Sequence, residues 1–165
     1  MANILVLDGH TFSSLAIVRS LGRQGYRVLV GSSTPRAIAG ASRFAVRTFV
    51  SPSVADDPEV YVKWIAELTA VEKIEGLFWT TSASTLAIDC FRHYLDASLL
   101  RDLPSTDVVH LAYDKAKTFQ LAEEAGVEIP TTRTWDSEVE LEQIAESVTY
   151  PCIIKPRQSC DFQDG

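Results

Sequence analysis

At 165 residues, with 15 basic and 22 acidic side chains and a formal charge of −7, the chain has room for one domain, or for one and part of a second. Hydrophobic residues at 46% and charged residues at 22% are globular usage, well away from disorder. The acidic balance argues against non-specific nucleic-acid binding, which needs a basic face. The first apolar run, Ile4 to Leu7, has no basic flank and is too short for a signal or a membrane span, so a cytoplasmic location without a membrane partner is expected. Cys90, Cys152 and Cys160 follow no disulfide spacing and read as reduced thiols. Cys90 and His93 form a C-x-x-H with no second ligand pair, so no metal site is assigned.

In chain order, Asn3 to Asp8 is apolar without a helical period, as in a strand buried on both faces. After Gly9-His10-Thr11, the residues Phe12, Leu15, Ala16, Val18 and Leu21 mark the apolar side of a helix that Gly22 and Gly25 can stop. Tyr26 to Gly31 is a second strand and completes a βαβ unit. Ser32 to Arg43 reads as loop, and Phe44 to Val50 as a third strand. Asp56-Asp57-Pro58 opens a helix continued by Val60, Trp64, Leu68 and Val71, with acids at the positive end of the dipole and proline early. Gly76 to Thr80 is a fourth strand, and Thr81 to Ser84 can cap a helix through about Leu95. The alternation predicts an α/β, Rossmann-like, largely parallel sheet. Beyond Pro104 the expected elements are a short helix through Tyr113, a helix capped by Asp114 and ended by Gly126, and an extended Val127 to Thr132. A helix opened by Ser137 and a strand from Tyr150 to Pro156 follow, and the polar Arg157 to Gly165 shows no period.

Ligands of an open parallel sheet bind beyond the carboxyl ends of its strands. This directs attention to Asp8 to Phe12, Gly31 to Pro35 and Thr80 to Ser84. Gly9 and His10 in the first loop, and Ser82 and Ser84 in the last, are the candidate substrate contacts. A helix N-terminus there offers N–H groups to an anion, and a histidine moves a proton near neutral pH. Each also has a plainer reading, as a loop histidine bonded to a neighbouring backbone group or as hydroxyl caps. Only Gly9 fits a G-x-G-x-x-G, and Ser32 stands where an acid would grip a ribose, so the dinucleotide fingerprint is missing. No P-loop and no G-x-S-x-G elbow occurs, and no catalytic residue is assigned. Lys115 follows the cap Asp114, and Lys155 ends an apolar run. An ammonium there suits polyphosphate oxygens, or else simply reaches solvent.

The wording around these lysines is specific. Asp114-Lys115-Ala116-Lys117, then Ala125-Gly126-Val127-Glu128-Ile129-Pro130-Thr131-Thr132, then Tyr150-Pro151-Cys152-Ile153-Ile154-Lys155-Pro156 resembles the opening of an ATP-grasp domain. Leu21 to Val28 and Ser42 to Ala45 resemble its N-terminal companion, the pre-ATP-grasp domain, in the carbamoyl-phosphate-synthase-like and carboxylate–amine ligase branch. The resemblance implies a Rossmann-like pre-ATP-grasp domain at 1–113 and, at 114–165, the first part of an incomplete α+β nucleotide-binding domain. It implies that Lys115 and Lys155 contact ATP, that ATP and Mg²⁺ serve the complete enzyme, and that a small-molecule carboxylate is activated as an acyl-phosphate before an amine or thiol displaces phosphate. It also implies homodimerisation as a possibility. The tract from Gln158 to Asp164 contains no glycine where the family has a glycine-rich loop, and the family's metal-binding acids lie further on. The expectation is therefore a truncated, inactive piece that binds no nucleotide tightly. The alternatives are a non-catalytic Rossmann-like small-ligand-binding or oligomerisation module, and an NAD(P)-binding oxidoreductase domain.

Overall fold

A computed structural model of the chain describes residues 1–158. The expected polar tail, with Cys160 and the glycine-free tract to Asp164, lies outside these residues apart from its start. The chain divides into two compact units, Met1–Thr106 and the residues from Asp107 on.

The first unit is built on β1 (Asn3–Val6), β2 (Arg27–Ser32), β3 (Ala45–Val50) and β4 (Ile74–Phe78), in the order β3-β2-β1-β4 with every pairing parallel. Apolar residues on both faces of the central strands divide into two cores. Ile4, Val6, Val28 and Val30 meet α1 (Phe12–Arg23) through Leu15, Val18 and Leu21. Leu5, Leu7, Leu29 and Leu77 meet α2 (Pro58–Val71) and α3 (Ser82–Cys90) through Val62, Ile65 and Ile88. This period-two division is why the sequence shows uninterrupted apolar runs at β1 and β2. Each fully buried leucine or valine here contributes about 1.5–3 kcal/mol by leaving water.

Local signals set the ends of the helices. Thr11, Asp57 and Thr81 cap α1, α2 and α3, accepting the amides of Ser14, Val60 and Ser84. Pro58 occupies the first position of α2, where its missing N–H is no loss. The helix α1 closes with Gly25 at φ +87°, the Gly25 amide reaching Gly22 O and the Tyr26 amide Leu21 O, a left-handed cap that favours glycine.

Three expectations are corrected. Phe12 is not on the buried side of α1. It is 81% exposed, and Ser14 takes the buried position because its hydroxyl donates to Leu7 O at 2.7 Å. The helix expected to reach Leu95 ends at Cys90, and two 3-10 turns, Arg92–Tyr94 and Ala97–Leu99, fold Phe91, Tyr94 and Leu99 onto the core. The buried Asp89 fixes this bend, accepting from Arg92 and from Thr106 Oγ1, while Arg92 also donates to Pro104 O.

The second unit holds α4 (Thr106–Tyr113, starting on the last residue of the first unit), α5 (Lys115–Glu124) and α6 (Glu138–Ala145). The strand expected at Tyr150 to Pro156 is absent: these residues are irregular, and Ile153 and Ile154 are 81% and 73% exposed, because no neighbouring strand pairs with them. Among its described residues only Val109 and Asp114 are buried. Among the described residues of the chain, no helix is long and apolar enough to cross a membrane.

Candidate functional site

The strand order reverses between β1 and β4, and the crevice there is the expected ligand position in this class of fold. The chain fills it with its own groups. Asp8, two residues after β1 at φ +55°, is buried, and its Oδ2 accepts the amides of Thr80 and Thr81 at 2.8 and 2.9 Å. Its Oδ1 accepts the Ser84 hydroxyl at 2.6 Å. A carboxylate thus already occupies the positive end of α3, where the sequence reading seeks a bound anion. Beside it, Thr11, Ser14 and Thr80 close a triangle of hydroxyls at 2.9–3.0 Å that discharges into Leu7 O. The Trp79 indole donates to Thr85 Oγ1 at 3.0 Å and fixes the neighbouring chain.

Ser84 has a single proton, and it goes to Asp8. The 3.0 Å bond between Ser84 Oγ and Tyr61 Oη therefore has the phenol as donor. The relay runs Tyr61 to Ser84 to Asp8, entirely within buried residues. Burial, and then the Asp8 charge, push the Tyr61 phenol well above its ordinary value, while the bond to Ser84 pulls the other way.

Gly9 is buried where the loop crosses β2. Its amide donates to Gly31 O, its carbonyl accepts from Ala39, and a Cβ there would lie 2.6 Å from Val30 Cγ1. His10 is exposed at the mouth of a small cleft over the ends of β1, β2 and β3, lined also by Asp8, Ser32, Ser33, Ser51 and Tyr61. Ser82 is half-buried in the first turn of α3, and Ser84 is fully buried with its hydroxyl committed as described. Sequence reasoning missed Asp8 and Tyr61 as site residues. Neither carries a spacing signal, since the donors to Asp8 come from 72 to 76 positions away.

In the second unit, Asp114 caps α5, accepting the amides of Ala116 and Lys117, and it also receives the Arg157 guanidinium at 2.9 and 3.0 Å. That guanidinium holds the Asp114 carboxyl below the usual carboxylate range. Lys115 is half-buried, its amide donating to Arg157 O at 3.2 Å and its Nζ lying 3.4 Å from the same oxygen. Lys155 is exposed two residues before Arg157, within about 7 Å of it along the chain. Arg157, two positions after Lys155, is the partner of Asp114 that sequence reasoning passed over.

Comparisons with known proteins bear on both units. The L-amino acid ligase from Bacillus licheniformis superposes with a TM-score of 0.67 at 17% identity, over 96% of this chain and 37% of its own. The N5-carboxyaminoimidazole ribonucleotide synthetase from Thermotoga maritima gives 0.62 at 16%, over 96% and 39%. In sequence, the carbamoyl phosphate synthase large chain of Rubrobacter xylanophilus is 26% identical over 88% of this chain. The chain is thus similar in sequence to carbamoyl phosphate synthase large chains and in fold to the ATP-grasp ligases. Its first unit has the fold of their N-terminal domains. It spans about 14% of the length of that synthase chain. No family model matches.

Proposed function

We propose that this chain supplies the N-terminal portion of an ATP-dependent carboxylate–amine, or thiol, ligase and is not catalytic by itself. The reading is supported above all by the match to a carbamoyl phosphate synthase large chain across 88% of these residues. In it, the strand ends of the first unit, with Gly9, His10, Ser82 and Ser84, form the small-molecule side of the site, and Lys115 and Lys155 serve the nucleotide. In this reading each lysine offers an ammonium group suited to polyphosphate oxygens, Lys115 from the first position of α5 and Lys155 from the exposed segment two residues before Arg157. When bound, ATP with Mg²⁺ converts a carboxylate into an acyl-phosphate, which an amine can attack. Among the described residues no group of three His, Cys, Asp or Glu is placed to hold a metal ion.

The second unit supports the same reading, since Tyr150, Ile153 and Ile154 are 77%, 81% and 73% exposed on a segment whose apolar pattern is that of a strand. Isothermal calorimetry tests the proposal. The chain is expected to bind MgATP no tighter than about millimolar, about −4 kcal/mol, with half a cleft present. Micromolar binding would overturn the division of labour. In a longer chain that turns over, Lys155→Ala is expected to raise the KM for ATP with the fold intact, and an unchanged KM would remove its assigned role. The competing oxidoreductase reading lacks the glycine fingerprint of the first βα turn, where only Gly9 fits.

A further inference from the structure

Arg157 is tied to the start of α5 by its side chain and by its main chain. Its guanidinium donates to the Asp114 carboxylate, Nε to Oδ1 and Oδ2 at 2.9 and 3.0 Å and Nη2 to Oδ2 at 2.9 Å. Its carbonyl accepts the Lys115 amide at 3.2 Å and faces Lys115 Nζ at 3.4 Å. Asp114 is buried and caps α5, so its carboxylate is a fixed anchor. The residues before Arg157 have nothing comparable. Ser147 is bonded to Arg133 and to Ile144 O, but from Val148 to Pro156 no hydrogen bond or ion pair is made among the described residues. Pro151 to Pro156 are all exposed. Arg157 is therefore the point at which this segment is held, and Lys155 lies two residues from it, their Cα atoms within about 7 Å. The same guanidinium neutralises Asp114, whose bare charge beside the Lys115 amide would repel an approaching anion.

We infer that Arg157 is a positioning residue: its clamp on Asp114 and Lys115 brings the segment that carries Lys155 to the start of α5, so that the two lysine ammonium groups can meet one polyanion. In this role Arg157 does not touch the ligand. It closes the loop that begins at Ser147, and the second ammonium then acts at a raised effective concentration. A guanidinium suits the task better than an ammonium, because its planar fork fixes direction as well as distance against a carboxylate. The inference rests on the ligase reading for its ligand, a triphosphate. The clamp itself is formed without one.

The test uses the full chain, uniformly labelled with ¹⁵N, and two readouts. Without ligand, Arg157→Ala is expected to lower the amide order parameters of Ile153, Ile154 and Lys155, while Ala116 and Lys117, still capped by Asp114, keep theirs. Unchanged order in that segment overturns the inference and leaves the ligase reading untouched. The second readout is a titration with sodium tripolyphosphate at fixed ionic strength, followed at the Lys115 and Lys117 amides. Asp114→Asn keeps a good helix cap but loses the ion pair. By charge alone, removing a carboxylate should tighten a polyanion, yet the clamp predicts binding about 3- to 10-fold weaker. Unchanged or tighter binding overturns the inference. Lys155→Ala is expected to weaken binding about 3- to 10-fold in the parent and by less than about 1.5-fold in Arg157→Ala, because the two residues act as a unit. Equal losses in both backgrounds would make Arg157 an independent contact and overturn the inference as well. Release of the segment by Arg157→Ala, in a chain whose parent shows no saturable tripolyphosphate shift, would defeat the nucleotide role of the lysines and leave the clamp standing.

Discussion

Asp8 combines an uncommon backbone conformation with a buried charge, and the residues around it show how closely the loop after β1 is packed. Gly9 has no room for a side chain: a Cβ would lie 2.6 Å from Val30 Cγ1 and 3.2 Å from Ala37 Cβ, and Val30 is fully buried and held between strands. Gly9→Ala is therefore expected to cost about 1–3 kcal/mol by overpacking, read as a lower urea midpoint at unchanged slope. An unaltered midpoint would show that the loop gives way. Tyr61 makes a separate prediction in alkali. Burial and the Asp8 charge raise its folded value above the unfolded value of about 10, so its contribution to stability is full below that pH and declines as pH rises above it. Its phenolate absorbance is expected to appear only together with loss of the fold. A Tyr61 signal in step with the exposed tyrosines would contradict the buried relay.

Among the elements, α5 depends most visibly on one residue. Asp114 caps it and is itself held by Arg157, so Asp114→Ala is expected to remove about 0.5–2 kcal/mol of helix stability, measured as faster hydrogen exchange at Ala116 and Lys117. The Asp114 carboxyl is depressed in the folded chain, so this support is complete above the unfolded value of about 3.9 and is lost as pH falls through the lower folded value. Exchange at those amides should accelerate only below about pH 4 in the parent and show no such step in Asp114→Ala. The strands β1 and β2 were legible in the sequence because burial on both faces leaves a run without polar breaks. The start of α2 was legible because Asp57-Pro58 is a local signal. The buried face of α1 was not, since Ser14 occupies a core position through a bond to a carbonyl of the preceding strand. The segment from Tyr150 to Pro156 reads as a strand, yet a strand exists only with a neighbour, and no local pattern reports whether one is present. Asp8 was invisible for a related reason: its meaning lies in donors that only the closed sheet brings near.

At the scale of the whole molecule, the two units differ in how much apolar surface they remove from water. The first carries two cores, one on each face of its sheet, whereas the second buries only Val109 and Asp114 among its described residues. Hydrogen exchange followed by mass spectrometry is expected to find β1 and β2 the slowest segments and α5, α6 and Tyr150 to Pro156 markedly faster. Equal protection throughout would show that the second unit is stabilised by something other than its own packing. The indole of Trp79 adds a practical consequence. It is tied to Thr85 in the first turns of α3, directly before the amides that bind the Asp8 carboxylate. Any loosening of that bond should alter the emission of an indole the protein already carries, so the packing of this loop can be followed without attaching a dye.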